Sequence, residues 1–154
     1  MIDTRIQDAL NDQLNAEFFA SYYYLSISAF FKETDFDGFA TWMQGQAQEE
    51  LSHAMKIFDF INDREWVVTL AEIQAPTHSW DGPLDAFEDA YTHEKEVTEQ
   101  IYKLVDMSLE KRDHATNTFL QWFVTEQVEE EAAANDIVNK LKLVGNDGNG
   151  LFLL

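Results

Sequence analysis

Gln48-Glu49-Glu50-Leu51-Ser52-His53, inside the longer run from Gly38 to Ile61, is the stretch on which the fold turns. Read as a helix, it sets Glu50 and His53 three residues apart on a face that also carries Met43, Ala47, Ala54, Ile57 and Ile61. A carboxylate and an imidazole therefore point where an apolar stripe points. Burying such groups costs on the order of 2 to 7 kcal/mol unless something compensates, and a bound metal compensates both. Glu-x-x-His is also the spacing by which four-helix bundles carry di-metal sites. Alone, the pair is an ordinary surface motif; its weight depends on whether other helices bring carboxylates to the same place.

Three other segments do. A helix over 4–33, with Asp3 or Thr4 as its cap, steps inward through Ile6, Leu10, Leu14, Ser21, Tyr24, Ser28 and Phe31, and Glu17 lies on that line. The run 33–38 is a short turn in which Asp35 or Asp37 caps the second helix. A third helix over about 83–111, opened by Pro83, presents Leu84, Phe87, Tyr91, Glu94, Val97 or Thr98, Ile101 and Val105. After the corner Lys111-Arg112-Asp113, a fourth helix over 114 to about 143 presents Phe119, Phe123, Gln127, Glu130, Ala134, Ile137 and Leu141, and Gly145 ends it.

The four intruding carboxylates each fall near the middle of their helix. At 1.5 Å per residue, Glu17 stands roughly 20 Å from the start of the first. Between the second and third helices lies a connection of roughly 18 residues, long for a bundle and able to span about 30 Å or more when extended. Within it Trp66-Val67-Val68 has strand-like propensity and 75–83 reads as irregular. Such a connection returns the chain along the bundle. The predicted fold is all-α: a four-helix bundle, up-down-down-up, with a long crossover between helices two and three.

Composition narrows the function. The 154 residues suit a single domain, with the bundle over about 4–143 and a tail over 146–154. Asp and Glu number 29 against 10 Lys and Arg, a net charge of -19. That excess repels nucleic acid and anionic membrane surfaces and attracts cations. No cysteine is present, which excludes disulfides, thiolate chemistry and cysteine-ligated iron–sulfur clusters. With no apolar run of membrane length and no signal-like N-terminus, a cytoplasmic location is expected. Four carboxylates and one imidazole suit iron, with zinc or manganese as imitators. Tyr24, two turns beyond Glu17, is placed to hydrogen-bond a site carboxylate or donate an electron, and neutral Gln127 to orient a neighbouring ligand. Glu49, Glu126, Glu129 and Glu131 form a second acidic group, read either as a solvated face or as an outer pair flanking the inner site. The terminal Leu151-Phe152-Leu153-Leu154 is expected to pack on another subunit.

These residues carry a resemblance. Glu17, Tyr24, 48–53, His93-Glu94 and the segment 119–131 together resemble the bacterial-type non-haem ferritins over nearly the whole chain. The resemblance implies a 24-subunit homo-oligomeric shell that stores iron, with an intra-subunit ferroxidase centre that oxidises Fe²⁺ with O₂ or H₂O₂. One iron would be held by Glu17, Glu50 and His53, and a second by Glu94 and Glu130, with Glu50 bridging and Gln127 nearby. Glu49, Glu126 and Glu129, sharing Glu130, would match a third iron site. Where bacterioferritin has a second Glu-x-x-His the chain has Gln127-x-x-Glu130, and Leu51 stands where a haem-ligating methionine is expected, so no haem is implied. The tail is too short for the full fifth helix of such ferritins. An acidic cage that binds metal without catalysis is the alternative reading.

Overall fold

The computed structural model describes residues 3–145 and residue 150; expectations for 146–149 and 151–154, the apolar tail and shortened fifth helix among them, lie outside the described residues. Four helices, α1 (Arg5–Glu33), α2 (Asp37–Asp63), α3 (Pro83–Glu110) and α4 (His114–Val144), form a four-helix bundle. None is long and apolar enough to cross a membrane.

Three helices end without glycine. Asp35, Glu65 and Arg112 adopt φ of 65°, 57° and 53°. In each case the next residue's N–H reaches back five residues: Phe36 to the Phe31 carbonyl (2.8 Å), Trp66 to Ile61 (3.0 Å) and Asp113 to Ser108 (2.8 Å). These bonds satisfy carbonyls that a helix end would otherwise orphan, at a left-handed strain of about 1–2 kcal/mol per residue. The expected Asp35 or Asp37 cap of α2 is corrected: Phe36 is the N-cap and makes no side-chain cap bond, because Asp35 is the left-handed residue that closes α1 and Asp37 is already helical. Asp113 does cap α4, accepting from the Thr116 N–H (3.1 Å). Arg64, at the end of α2, donates to Asp113 (2.9 Å) and to the Thr116 hydroxyl (3.0 Å), so α2 ends where α4 begins.

The crossover forms no strand. Its backbone is held by amide side chains one turn apart on α1. Val67 N–H donates to Gln7 Oε1 (3.2 Å), and Asn11 Nδ2 donates to the Val67 carbonyl (2.8 Å). Thr69 N–H donates to Asn11 Oδ1 (2.7 Å), Asn15 Nδ2 to the Thr69 carbonyl (3.1 Å), and Ala71 N–H to Asn15 Oδ1 (2.9 Å). The register works because four helical residues rise about 6 Å while two extended residues rise about 6.6 Å. The crossover thus runs parallel to α1, which delivers α3 to the end where α2 began.

The core divides in two. Phe30, Phe31, Phe39, Met43, Phe87 and Leu141 pack at one end, joining the C-terminal halves of α1 and α4 to the N-terminal halves of α2 and α3. Leu10, Leu14, Ile57, Ile61, Ile101 and Leu120 pack at the other. This pairing of ends is the expected up-down-down-up order. A buried polar belt separates the two cores: Glu17, Glu50, His53, Glu94, Gln127 and Glu130.

Candidate metal centre

Each helix delivers its part of the belt by periodicity, since a side chain between two core positions of a helix must face the core. Glu17 stands between Leu14 and Ala20, three residues from each, and Glu94 stands between Ala90 and Val97; both are 1% exposed. Three overlapping sets follow, each with one ligand atom per residue within 4.8 Å of the others: Glu17, Glu50 and His53; Glu50, Glu94 and Glu130; and His53, Glu126 and Glu130. Glu50 belongs to the first two. Its neighbour His53 faces it with Nδ1 at 3.4 Å, and the imidazole is flanked edge-on by the Trp122 and Phe123 rings at 5.1 and 6.1 Å.

Neutral donors hold the carboxylates in place. Gln13 Nε2 donates to Glu17 Oε1 (3.1 Å), Gln46 Nε2 to Glu130 Oε2 (2.7 Å), and Gln127 Nε2 to Glu94 Oε2 (3.1 Å). The Tyr24 hydroxyl donates to Glu94 Oε1. Glu17 Oε2 and Glu50 Oε1 remain buried without any partner. No lysine or arginine pairs with these acids among the described residues; His53 alone reaches them.

Electrostatics follows from that geometry. Burial pushes Glu17 well above the ordinary carboxyl range, helped by the charge of Glu50. Burial likewise lifts Glu50 to about 8, with the charges of Glu94, Glu130 and Glu49 adding to it. Glu94 is raised by burial against the opposing bonds from Tyr24 and Gln127, and Glu130 is raised to about 9 by burial, with Glu94 and Glu49 contributing. Without a cation the centre therefore keeps protons at neutral pH, because desolvation and mutual repulsion disfavour adjacent carboxylates. A divalent cation relieves both. Two unpartnered oxygens on facing helices are the donor atoms such an ion needs, and an oxygen-rich set with one imidazole nitrogen matches Fe²⁺, Mn²⁺ or Zn²⁺.

Of the residues singled out in the sequence, Glu17, Glu50, His53, Glu94 and Glu130 come together, with Tyr24 and Gln127 both on Glu94. The outer group separates. Glu126, half-buried, approaches His53 Nε2 (3.9 Å), and Glu49 sits close enough to help raise Glu130. Glu129 is exposed and joins none of the metal-capable sets found among the described residues. Glu131 turns instead to α3, accepting from the Thr98 hydroxyl (2.6 Å). Sequence reasoning missed Gln13 and Gln46. Gln13 precedes its partner Glu17 by four residues, the spacing of helical neighbours, and that signal was readable; Gln46 crosses to Glu130 on another helix, which no local spacing announces.

Comparisons with known proteins bear on the family and the fold. A family model described as "Ferritin-like domain" matches residues 7–144. A protein of Staphylococcus saprophyticus named bacterial non-heme ferritin is 40% identical over 153 residues, covering 99% of this chain and 92% of its own. One of the same name from Bacteroides fragilis is 42% identical over 148 residues, 96% of this chain and 93% of its own. A solved structure described as an open pore ferritin from the hyperthermophilic archaeon Archaeoglobus fulgidus superposes with a TM-score of 0.98 at 48% identity, covering 99% of this chain and 94% of that one.

Proposed function

Because the chain belongs to the ferritin-like family, we propose that it is a cytoplasmic ferroxidase that also stores iron, oxidising Fe²⁺ at the centre within each bundle and holding the ferric product inside a homo-oligomeric shell. Fe²⁺ is the substrate. One ion is taken by Glu17, Glu50 and His53, a second by Glu94 and Glu130, and Glu50 bridges them. The observation that carries this reading is the pair of buried, unpartnered oxygens on Glu17 and Glu50, with Glu50 common to two ligand sets.

The chain's own groups then have defined tasks. Two Fe²⁺ displace the protons that burial keeps among the carboxylates. Gln13, Gln46, Gln127 and Tyr24 hold the carboxylate planes before and after each cycle, so little reorganisation is needed when the ions arrive. The two ions supply two electrons to O₂, giving H₂O₂, or to H₂O₂, giving two waters, with two protons taken up in either case. The single imidazole and the carboxylate oxygens favour the ferric product's charge. Glu126, together with His53 and Glu130, offers an outer third site, with Glu49 alongside and Glu129 further out. The shell is read as 24 subunits by analogy with the family, and the archaeal relative described as an open pore ferritin makes wide openings the first arrangement to look for.

Stopped-flow absorbance with a parallel oxygen-electrode trace tests the reading. Glu50→Ala and Glu130→Ala should each abolish fast Fe²⁺ oxidation. Unchanged initial rates in both variants would overturn the assignment, and stoichiometric Fe²⁺ uptake by the unaltered protein without O₂ consumption would leave a metal-buffering cage.

A further inference from the structure

A second set of contacts leads from the centre to the protein surface. Tyr24, whose hydroxyl donates to Glu94, lies 5.3 Å from the ring of Tyr23, and Tyr23 lies 6.3 Å from the indole of Trp80, edge to face. These separations are those of aromatic rings in packing contact. Tyr23 is 5% exposed, whereas Trp80, in the crossover just before α3, is half-buried and reaches solvent. Both outer members of this chain share one proton acceptor. The Tyr23 hydroxyl donates to Asp89 Oδ2 (2.5 Å), and Trp80 Nε1–H donates to the same oxygen (3.1 Å). Asp89 itself is exposed.

A role confined to packing accounts for the rings, but not for the convergence of two oxidisable N–H and O–H donors on one carboxylate oxygen. An oxidised tyrosine becomes a strong acid and an oxidised tryptophan one of carboxylic-acid strength, and losing that proton into an apolar interior is costly. Here each ring has an acceptor in hydrogen-bond contact: Glu94 for Tyr24, and Asp89 for Tyr23 and Trp80. We infer that Tyr23, Asp89 and Trp80 form a proton-coupled electron relay that carries a stray oxidising equivalent from the metal centre to the protein surface. The inference rests on the proposed Fe²⁺ oxidation for the origin of that equivalent.

The need arises when one Fe²⁺ rather than two meets H₂O₂. Reduction of H₂O₂ to two waters takes two electrons and two protons. The lone Fe²⁺ gives one electron and becomes Fe³⁺; Tyr24 gives the other, its proton passing to Glu94, and both protons of the two waters come from solvent. Tyr23 then reduces the Tyr24 radical: an electron crosses, Glu94 returns its proton, and the Tyr23 proton moves to Asp89. Trp80 next reduces the Tyr23 radical, which takes its proton back from Asp89, and the indole N–H proton replaces it there. At the surface a small thiol gives a hydrogen atom to the indolyl radical, exposed Asp89 releases its proton to solvent, and two thiyl radicals combine as a disulfide. Oxidising power thus leaves as a soluble disulfide instead of attacking the core.

The chain has no cysteine, so His78→Cys creates a single attachment point two residues from Trp80 for a ruthenium polypyridyl photo-oxidant. In the assembled, iron-free protein, a flash should produce an indolyl radical that comes to equilibrium with a tyrosyl radical, the same hop entered from its outer side, resolved by transient absorption. Tyr23→Phe should abolish the tyrosyl signal and prolong the indolyl one. Trp80→Phe should lose both, and Asp89→Asn, which keeps the shape but not the proton acceptor, should slow the transfer and enlarge its solvent isotope effect. Equal tyrosyl yield with and without Tyr23 overturns the relay. A second arm mixes less than one Fe²⁺ per chain with H₂O₂ and freezes samples for EPR: Tyr23→Phe should hold the radical on Tyr24 while the amount of Fe²⁺ oxidised stays the same. If the unaltered protein oxidises no Fe²⁺, the functional reading fails, whereas the flash arm still judges the relay.

Discussion

Glu50→Gln should stabilise the metal-free protein while destroying its metal site. Glu50 is 2% exposed, one of its oxygens has no partner, and burial lifts its pKa from the ordinary 4.5 to about 8. Between those two values the folded chain holds a proton that the unfolded chain releases. The group's contribution is therefore fully present below about 4.5 and is lost as pH rises towards about 8. The loss runs at about 1.4 kcal/mol per pH unit, or about 3 kcal/mol at pH 7. Glutamine keeps the shape, carries no proton to lose, and its amide can donate to the orphaned oxygen of Glu17. For a chain of this size about 3 kcal/mol corresponds to roughly 6–12 °C in melting temperature. Calorimetry of chelator-treated protein, at one protein concentration because assembly adds stability by mass action, should find the variant level with its parent near pH 4.5, increasingly ahead of it as pH rises to about 8, and ahead by a constant margin above that. Zn²⁺ should reverse the order, since only the parent gains from a bridged ion. A variant that melts at or below the parent throughout, or by a margin independent of pH, would refute the argument that the buried charges are costly.

Other consequences are accessible to simple measurements. Zn²⁺, which cannot be oxidised, should release protons on binding at pH 7, because Glu17, Glu50, Glu94 and Glu130 are all raised in its absence; titration calorimetry in two buffers of different ionisation enthalpy reads the number, and zero release contradicts the protonated cluster. Gln46→Ala removes the donor to Glu130, so Fe²⁺ affinity should fall by about 10-fold or more, as for other groups that orient metal ligands, with helicity unchanged by circular dichroism. Asn11→Ala deletes two hydrogen bonds to the crossover, expected to cost about 1–3 kcal/mol in total; hydrogen exchange at the Thr69 amide should accelerate, and its persistence would mean that the amide ladder is not what holds the crossover.

The inner site was legible because helical periodicity is local. Glu17, Glu50, Glu94 and Glu130 stand at core positions of four strongly patterned segments, and no packing detail is needed to see that an apolar face carries an acid at mid-length. The crossover was legible only in its length. Its strand-like residues form no sheet, since Gln7, Asn11 and Asn15 on α1 supply the donors and acceptors that a neighbouring strand would have supplied. Helix ends were harder still: a reading that looks for glycine or an acidic cap misses Asp35, Glu65 and Arg112, whose left-handed conformations let the next residue's N–H reach back five residues to close the helix.

By itself the sequence determined the class of fold, the level of the polar belt and the chemistry of its ligands, because those depend on spacing along a single helix and on side-chain type. Only the tertiary structure decided which atoms meet. Glu126 turns in to His53 while Glu131 turns to Thr98, Gln46 crosses to Glu130 on α4, and Tyr23 and Trp80 converge on Asp89. Each is a contact between elements distant in sequence or a choice among rotamers on neighbouring faces. Such choices are set by interhelical distance and by the competition of several donors for one carboxylate, neither of which is encoded at any single position.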